Sequence, residues 1–252
     1  MKRFKMLQID IMVFVFALTG CKKDDPTSAT TTAQPSGVPT ISSFGGATPV
    51  NALVVVRTST ETSVGGIFFV VDATVGTAVF GAPGQDKGDV KATASSTDYP
   101  FTKNTVSGSV SYIYSPTVAS PTGIGLNTGA TSVTFTATGY PLSPAAVTVP
   151  GQLKLTAPAA NADVPRSANL VVTWTITNAG TRSAVFITDY AGHYKFYENL
   201  TGTTYSIPTA DLQGLTAGGA LVYAISYNYV LSNSNAAVLI GESVAVRSIT
   251  LQ

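Results

Sequence analysis

One histidine, one cysteine and three glutamates limit the chemistry open to this 252-residue chain. His193 has no second histidine with which to share a metal, and structural zinc sites draw on several Cys or His ligands. A nucleophilic triad needs a nucleophile and an acid placed around the imidazole. Asp189 is close in sequence, but it lies across an expected hairpin, and that local arrangement suits a structural or exposed histidine. Glu61, Glu198 and Glu242 are widely spread, so no carboxylate pair of the glycosidase kind stands out. Gln85-Asp86-Lys87-Gly88-Asp89 holds two aspartates and a glycine. It lacks the alternate acceptors and the later glutamate of an EF-hand loop, and reads as a polar turn. No catalytic residue, cofactor site or metal site is nominated.

Aromatic residues give one hint of binding. Seven of the 11 tyrosines fall between Tyr190 and Tyr229. Exposed tyrosines stack on sugar rings and hydrogen-bond to hydroxyls. Tyr194 and Phe196 share one face of an expected strand and Tyr197 takes the other; these three are the candidate contact residues. Tyr223, Ile225, Tyr227 and Tyr229 alternate as core positions do, and aromatics supply much of a sandwich core. Core packing and a glycan or protein contact surface both remain open for this cluster.

The elements that would position these rings are strands. Only 11% of the residues are charged, against about 25% in an ordinary domain. Threonine and valine are abundant, and their branched β-carbons sit well on a pleated surface. With frequent Gly and Pro breaks and no helical periodicity, the chain reads as all-β, organised as antiparallel sandwiches. No basic stripe follows Lys22 and Lys23, which argues against nucleic acid as a partner. A single cysteine allows no internal disulfide, so stability must come from apolar burial.

Residues 38–150 read as a first β-sandwich. Strands are expected at 52–56, 67–71, 73–80 with a break at Gly76, 89–93, 106–114 and 131–138, after a short extended segment from Val38 to Phe44. In the last strand Val133, Phe135 and Ala137 point one way and Thr134, Thr136 and Thr138 the other, the pattern of a half-buried antiparallel strand.

Residues 151–252 read as a second sandwich. Strands are expected at 152–156, 169–176, 183–190, 193–198, 203–207, 220–231 and 237–251, with 158–166 as loop. The strands at 183–190 and 193–198 form a hairpin across Ala191-Gly192. Trp174 falls on the inward face with Leu170, Val172 and Ile176. Seven strands in about 100 residues match the immunoglobulin pattern. Trp174 in the second strand, Tyr205-Ser206-Ile207, Leu212, Leu215-Thr216-Ala217-Gly218 and Tyr223-Ala224-Ile225-Ser226-Tyr227-Asn228 resemble fibronectin type III. Ala-Gly-Gly-Ala stands where that family commonly has Pro-Gly. Val149-Pro150-Gly151 ends one strand and precedes another, so the sheet is expected to break there. Residues 151–252 should then fold alone.

The amino terminus supplies an address. Lys2, Arg3 and Lys5 precede an apolar run, Ile9 to Leu18, and then Leu18-Thr19-Gly20-Cys21. The run is too short for a span of roughly 20 residues and reads as a targeting segment. It resembles a bacterial lipoprotein signal peptide (1–20) with a lipobox. The resemblance implies cleavage before Cys21 and acylation of Cys21, giving a membrane partner through the lipid. Residues 21–37 read as the lipidated cysteine and a flexible tether. Lys22-Lys23-Asp24-Asp25 is similar to the export signal of Bacteroidota-type surface lipoproteins. That implies a bacterial cell-envelope location, on the outer face of the outer membrane. The layout of lipobox, tether, β region and fibronectin-like domain resembles uncharacterised lipoproteins of that group and brings no activity with it. The expected role is a non-enzymatic binding or interaction module, or alternatively a carbohydrate-binding accessory protein.

Overall fold

A computed structural model describes residue 41, residues 44–64 and residues 67–252, without the side chains of 60–71. The expected signal peptide, Cys21 and the tether lie outside the described residues. Strands dominate. β1 (Asn51–Val64), β2 (Ile67–Phe80), β3 (Val90–Ala94), β4 (Thr97–Pro100) and β5 (Thr102–Val106) come first. β6 (Ser109–Tyr114), β7 (Thr131–Ala137), β8 (Ala146–Val149), β9 (Leu153–Ala157) and β10 (Ala162–Val164) follow. The chain ends with β11 (Leu170–Ile176), β12 (Arg182–Asp189), β13 (Tyr194–Leu200), β14 (Thr204–Ile207), the short helix α1 (Thr209–Gln213), β15 (Gly218–Ser232) and β16 (Ala237–Leu251).

One long sheet runs β13-β12-β15-β16-β1-β2-β6-β5, with β10 paired to the end of β16. Two short sheets, β14-β11-β9 and β4-β3-β7-β8, cover it. Leu239 of β16 belongs to one buried core, and Ala245, Ile249 and Leu251 belong to another. Alternate residues of a strand share a face, so both short sheets lie on the same side of the long one. The β14-β11-β9 sheet against β13-β12-β15-β16 is the three-on-four arrangement of a fibronectin type III sandwich. Trp174 sits in that core at 2% exposure, with Leu153, Val172, Ile187 and Val222 around it. The other core holds Phe80, Tyr112 and Phe135; β7 buries Val133, Phe135 and Ala137 and exposes the threonines between them, as its alternation requires.

The long sheet does not break at residue 150. β1 pairs in parallel with β16 from Asn51↔Ala237 to Thr60↔Val246. Residues 38–150 and 151–252 are therefore not separate sheets. The Pro150-Gly151 break falls in the covering layer, between β8 and β9. Proline and glycine punctuate local structure, whereas the β1–β16 pairing joins residues nearly 190 positions apart. At the joint, Gly151 donates its N–H to the Asn178 carbonyl (3.1 Å), and a Cβ there would lie 1.7 Å from the Thr177 oxygen. Gly241 admits β8 in the same way, since a Cβ on it would lie 2.8 Å from the Thr148 oxygen.

Three local expectations need correction. β2 runs through Gly76, whose missing side chain makes room for the Phe101 ring: a Cβ there would meet it at 2.4 Å. Residues 106–114 are not one strand. Ser107 (φ 51°) and Gly108 (φ 81°) make a two-residue hairpin turn between β5 and β6. The stretch 158–166 contains β10, recruited by the free edge of β16 beyond the end of β1.

The opposite face of the long sheet carries a third apolar cluster, with Val54, Phe186, Tyr223, Ile225, Tyr227, Ile240 and Val244. Ile41 and Phe44 lie on it, Phe44 edge-on to Tyr229 at 5.4 Å. Glu242 is buried among them at 1% exposure. The Ile41 N–H bonds to its carboxyl, and Oε1 has no partner among the described residues. Burial pushes the group up to about 8, against the pull of the Ile41 N–H. The folded state thus holds a proton that the unfolded chain has lost. The contribution of Glu242 is complete below about pH 4.5 and is lost as the pH rises toward 8. Stability should fall by about 1 kcal/mol per pH unit over that window. Urea melts at pH 5, 6.5 and 8 should show the decline in the wild type and a flat response in Glu242→Gln; equal slopes would place the carboxyl in water.

Candidate binding surface

The histidine and its neighbouring acid do meet. The β12–β13 turn folds His193 back onto Asp189, a side chain only 1% exposed. Asp189 accepts the His193 backbone N–H (2.8 Å), pairs with His193 Nδ1 (2.8 Å) and accepts the Thr216 N–H (2.7 Å). Thr216 Oγ1 lies 3.2 Å from the same Nδ1. A triad places its acid on one imidazole nitrogen and its nucleophile on the other. Here both partners crowd Nδ1, so the cluster is a clasp between the hairpin turn and the corner at Thr216. Burial alone would raise the Asp189 carboxyl; the Thr216 and His193 donors outweigh it and hold the group at about 2. This clasp is in force above about pH 4 and fails as the pH drops toward 2. An acid titration followed by tyrosine fluorescence should show Asp189→Asn already weakened at pH 6, by about 2 kcal/mol, with less further loss below pH 4. A mutant with the wild-type acid profile would show that the clasp contributes nothing.

Asp86 and Asp72 are similarly engaged. Asp86 accepts the Gly88 N–H (2.9 Å), the Tyr112 hydroxyl (2.8 Å) and Lys103 Nζ (2.9 Å), which is a braced polar turn. A cavity of about 450 Å³ opens between the long sheet and β9–β11, lined by Ser59, Asp72, Gln152, Lys154 and Thr175. Asp72 is the single carboxylate among its described lining residues. Its oxygens are taken by the Ser59 hydroxyl and by Gln152 Nε2 (2.6 Å for the latter). Carboxylate-pair hydrolysis needs a second acid, and the described lining residues supply none.

Aromatic side chains do converge. The register sets Phe186 of β12 opposite both Phe196 of β13 and Tyr223 of β15. Their rings meet Phe186 at 5.9 Å and 5.2 Å, nearly edge-on, and Tyr194 lies 5.7 Å from it, tilted by 36°. Tyr194 is 41% exposed. Tyr190 is 71% exposed and its ring lies over Gly219, where a Cβ would come within 2.4 Å of it. The result is an aromatic floor of Phe186 and Tyr223 with Tyr190 and Tyr194 standing above it, at the β13 edge of the long sheet. Tyr194, Phe196 and Tyr223 are each tilted against Phe186 rather than coplanar with it.

Of the three expected contact residues, Tyr194 and Phe196 belong to this surface. Tyr197 points to the other side, where its hydroxyl donates to Asp211 (2.7 Å) and its ring lies 4.7 Å from Tyr205. Burial, then the Asp211 carboxylate, raises its phenol. Tyr190 and Phe186 were not identified from sequence. Phe186, Thr188 and Tyr190 alternate in one strand, and continuing that alternation to the strand end could have found Tyr190. Tyr223 and Tyr227 are buried, as their alternation suggested.

No family model matches the sequence, and no curated protein matches it. Among solved structures, the fibronectin(III)-like modules of Clostridium thermocellum CbhA align over 71% of this chain and 84% of theirs, at 14% identity and a TM-score of 0.25. A tetra-tandem repeat from the extending region of a large adhesion protein aligns over 78% of this chain and 49% of its own, at 15% identity and a TM-score of 0.20. DIP-gamma IG1+IG2 aligns over 82% and 96%, at 10% identity and a TM-score of 0.18. These scores are low, and the sandwich topology rests on the strand orders themselves.

Proposed function

We propose that the chain is a lipid-anchored cell-envelope protein that works without catalysis, displaying its double sandwich as an interaction module. The observation that carries the reading is the exposed pair Tyr190 and Tyr194 over the Phe186 and Tyr223 floor. Aromatic rings of this kind supply large contact area with few rotors to freeze, and their hydroxyls add a polar handle. Asp86 is committed to a turn, Asp189 to a clasp and Asp72 to the Ser59 and Gln152 side chains, and the reading supported by the exposed rings is binding. The anchor rests on Leu18-Thr19-Gly20-Cys21, and the outer-membrane surface location on Lys22-Lys23-Asp24-Asp25.

The partner is a protein or a glycan. The 36° tilt of Tyr194 against Phe186 favours a protein, because a sugar platform of the stacking kind presents its rings flat. Affinity electrophoresis through gels containing soluble polysaccharides separates the two. The protein reading expects unretarded migration of wild type and of Tyr190→Ala/Tyr194→Ala alike. Retardation of the wild type that the double variant abolishes would make the carbohydrate-binding role the correct one. For the anchor, metabolic labelling with a fatty-acid analogue should mark the wild type and leave Cys21→Ser unmarked; equal labelling of both would sink the lipobox assignment.

A further inference from the structure

β13 is an outer strand of the long sheet, and its far side meets no strand among the described residues. The β12–β13 turn fixes which of its backbone groups are spent. The Asp189 N–H donates to the His193 carbonyl (3.0 Å). Hydrogen-bonded pairs alternate along an antiparallel ladder, so Ile187↔Lys195 and Val185↔Tyr197 are the next bonded pairs. Tyr194 and Phe196 fall between them and turn their N–H and C=O groups outward. A register shift between Ser183 and Val185, with Asn199 at φ 57°, ends the regular edge after Tyr197. From Tyr194 to Tyr197 the open edge is about 10 Å long.

Over that length the usual guards are missing. Proteins protect an edge strand with proline or with an outstanding lysine. β13 contains no proline, and Lys195 is drawn back onto α1, where its Nζ meets Asp211 Oδ1 at 3.0 Å. β5, at the opposite end of the long sheet, differs. All five of its residues are exposed, so an added strand would find nothing to cover on either face. Beside β13 both faces offer a surface. Tyr194 and Phe196 stand against Phe186 on one. Tyr197 stands against Tyr205 on the other, with the Lys195–Asp211 pair.

Charge and pattern describe the occupant. Asp211 neutralises Lys195, so the edge from Tyr194 to Tyr197 favours neither an acidic nor a basic segment. In an antiparallel addition, the residues opposite Tyr194 and Phe196 share their aromatic face, and the residue opposite Lys195 faces the ion pair. We propose that β13 receives an uncharged, extended segment of a partner protein as an added strand, apolar at alternate positions. This rests on the interaction-module reading and names the form its partner takes. Main-chain hydrogen bonds hold the segment, and the aromatic face selects it.

Amide exchange and a peptide titration of the isotope-labelled full chain, followed by NMR, test this. In the free chain the Tyr194 and Phe196 amides should exchange quickly and the Lys195 and Tyr197 amides slowly. A capped peptide of alternating Thr and Val should slow the first two and shift their signals; one of alternating Thr and Ser should not. Phe196→Ala removes the ring alone, whereas Phe196→Pro also removes the outward N–H, which an edge strand tolerates. The proline variant should bind the Thr-Val peptide about fivefold more weakly than the alanine variant, the loss of one hydrogen bond. Equal affinities of the two variants, or no shift at either amide in millimolar peptide, overturn the proposal. So does a Phe196 amide protected in the free chain; protection that grows with protein concentration would make a second copy of the chain the occupant. The exchange measurement needs no variant, so it decides even where Phe196→Pro fails to fold. Photo-crosslinking from position 194 in cells tests the surface itself, so either reading can fail alone.

Discussion

A chain beginning at residue 151 should lose the cooperative unfolding shown by a chain beginning at residue 38. β16 is an interior strand of the long sheet, apolar on both faces, with Leu239 on one side and Ile240 and Val244 on the other. Removing β1 strips its edge over the whole stretch from Ala237 to Val246. It also removes Leu53, Val54 and Val55 from the flanking cores, together with Ile41 and Phe44. Each large aliphatic withdrawn costs about 1.5–3 kcal/mol, so the sum reaches the 5–15 kcal/mol that holds an ordinary domain together. Far-UV circular dichroism against urea is the measurement. The shorter chain should give a shallow slope and the longer one a sigmoid. A sigmoid of similar midpoint from both would mean that the β1–β16 pairing adds little.

Truncating Trp174 to Ala should destabilise the head by about 3–5 kcal/mol, the range for a large buried aromatic. The indole fills the space between β11 and the long sheet, within the core that also holds Val185, Val222 and Ala224. Its Nε1 has no partner among the described residues. Trp174→Phe, which deletes that polar atom and keeps most of the ring, should therefore cost much less, about 1–2 kcal/mol. Urea midpoints followed by circular dichroism rank the three proteins. Equal losses in Ala and Phe would show that the indole N–H, rather than the ring, carries the stability.

The C-terminal sandwich was legible because its signals are local. Alternation placed Trp174 and Val172 inward, and Ala191-Gly192 marked the hairpin that sets Tyr194 and Phe196 on one face. The joining of the two halves was not legible. Parallel pairing of β1 with β16 leaves no turn sequence between its partners, and the continuous apolar run from Leu53 to Val56 says only that a strand is covered on both sides. Pro150-Gly151 pointed to a break but could not say which layer breaks. Glycines misled where they serve packing: Gly76 looked like an interruption and is a socket for Phe101. At the surface, sequence found Tyr194 and Phe196 but not Tyr190, because contact with Gly219 depends on the register of β12 against β15.

The proposed partner site is the β13 edge of the long sheet, through Tyr190 and Tyr194. The most direct measurement is site-specific photo-crosslinking in intact cells. One chain carries a photoreactive residue at Tyr194; a control carries it at Val171, which is equally well exposed but lies on β11 of the covering sheet. A discrete adduct is expected from position 194, lost when Tyr190 is changed to Ala, and none from position 171. Identical adduct patterns from both positions, or an adduct from 171 alone, would contradict it.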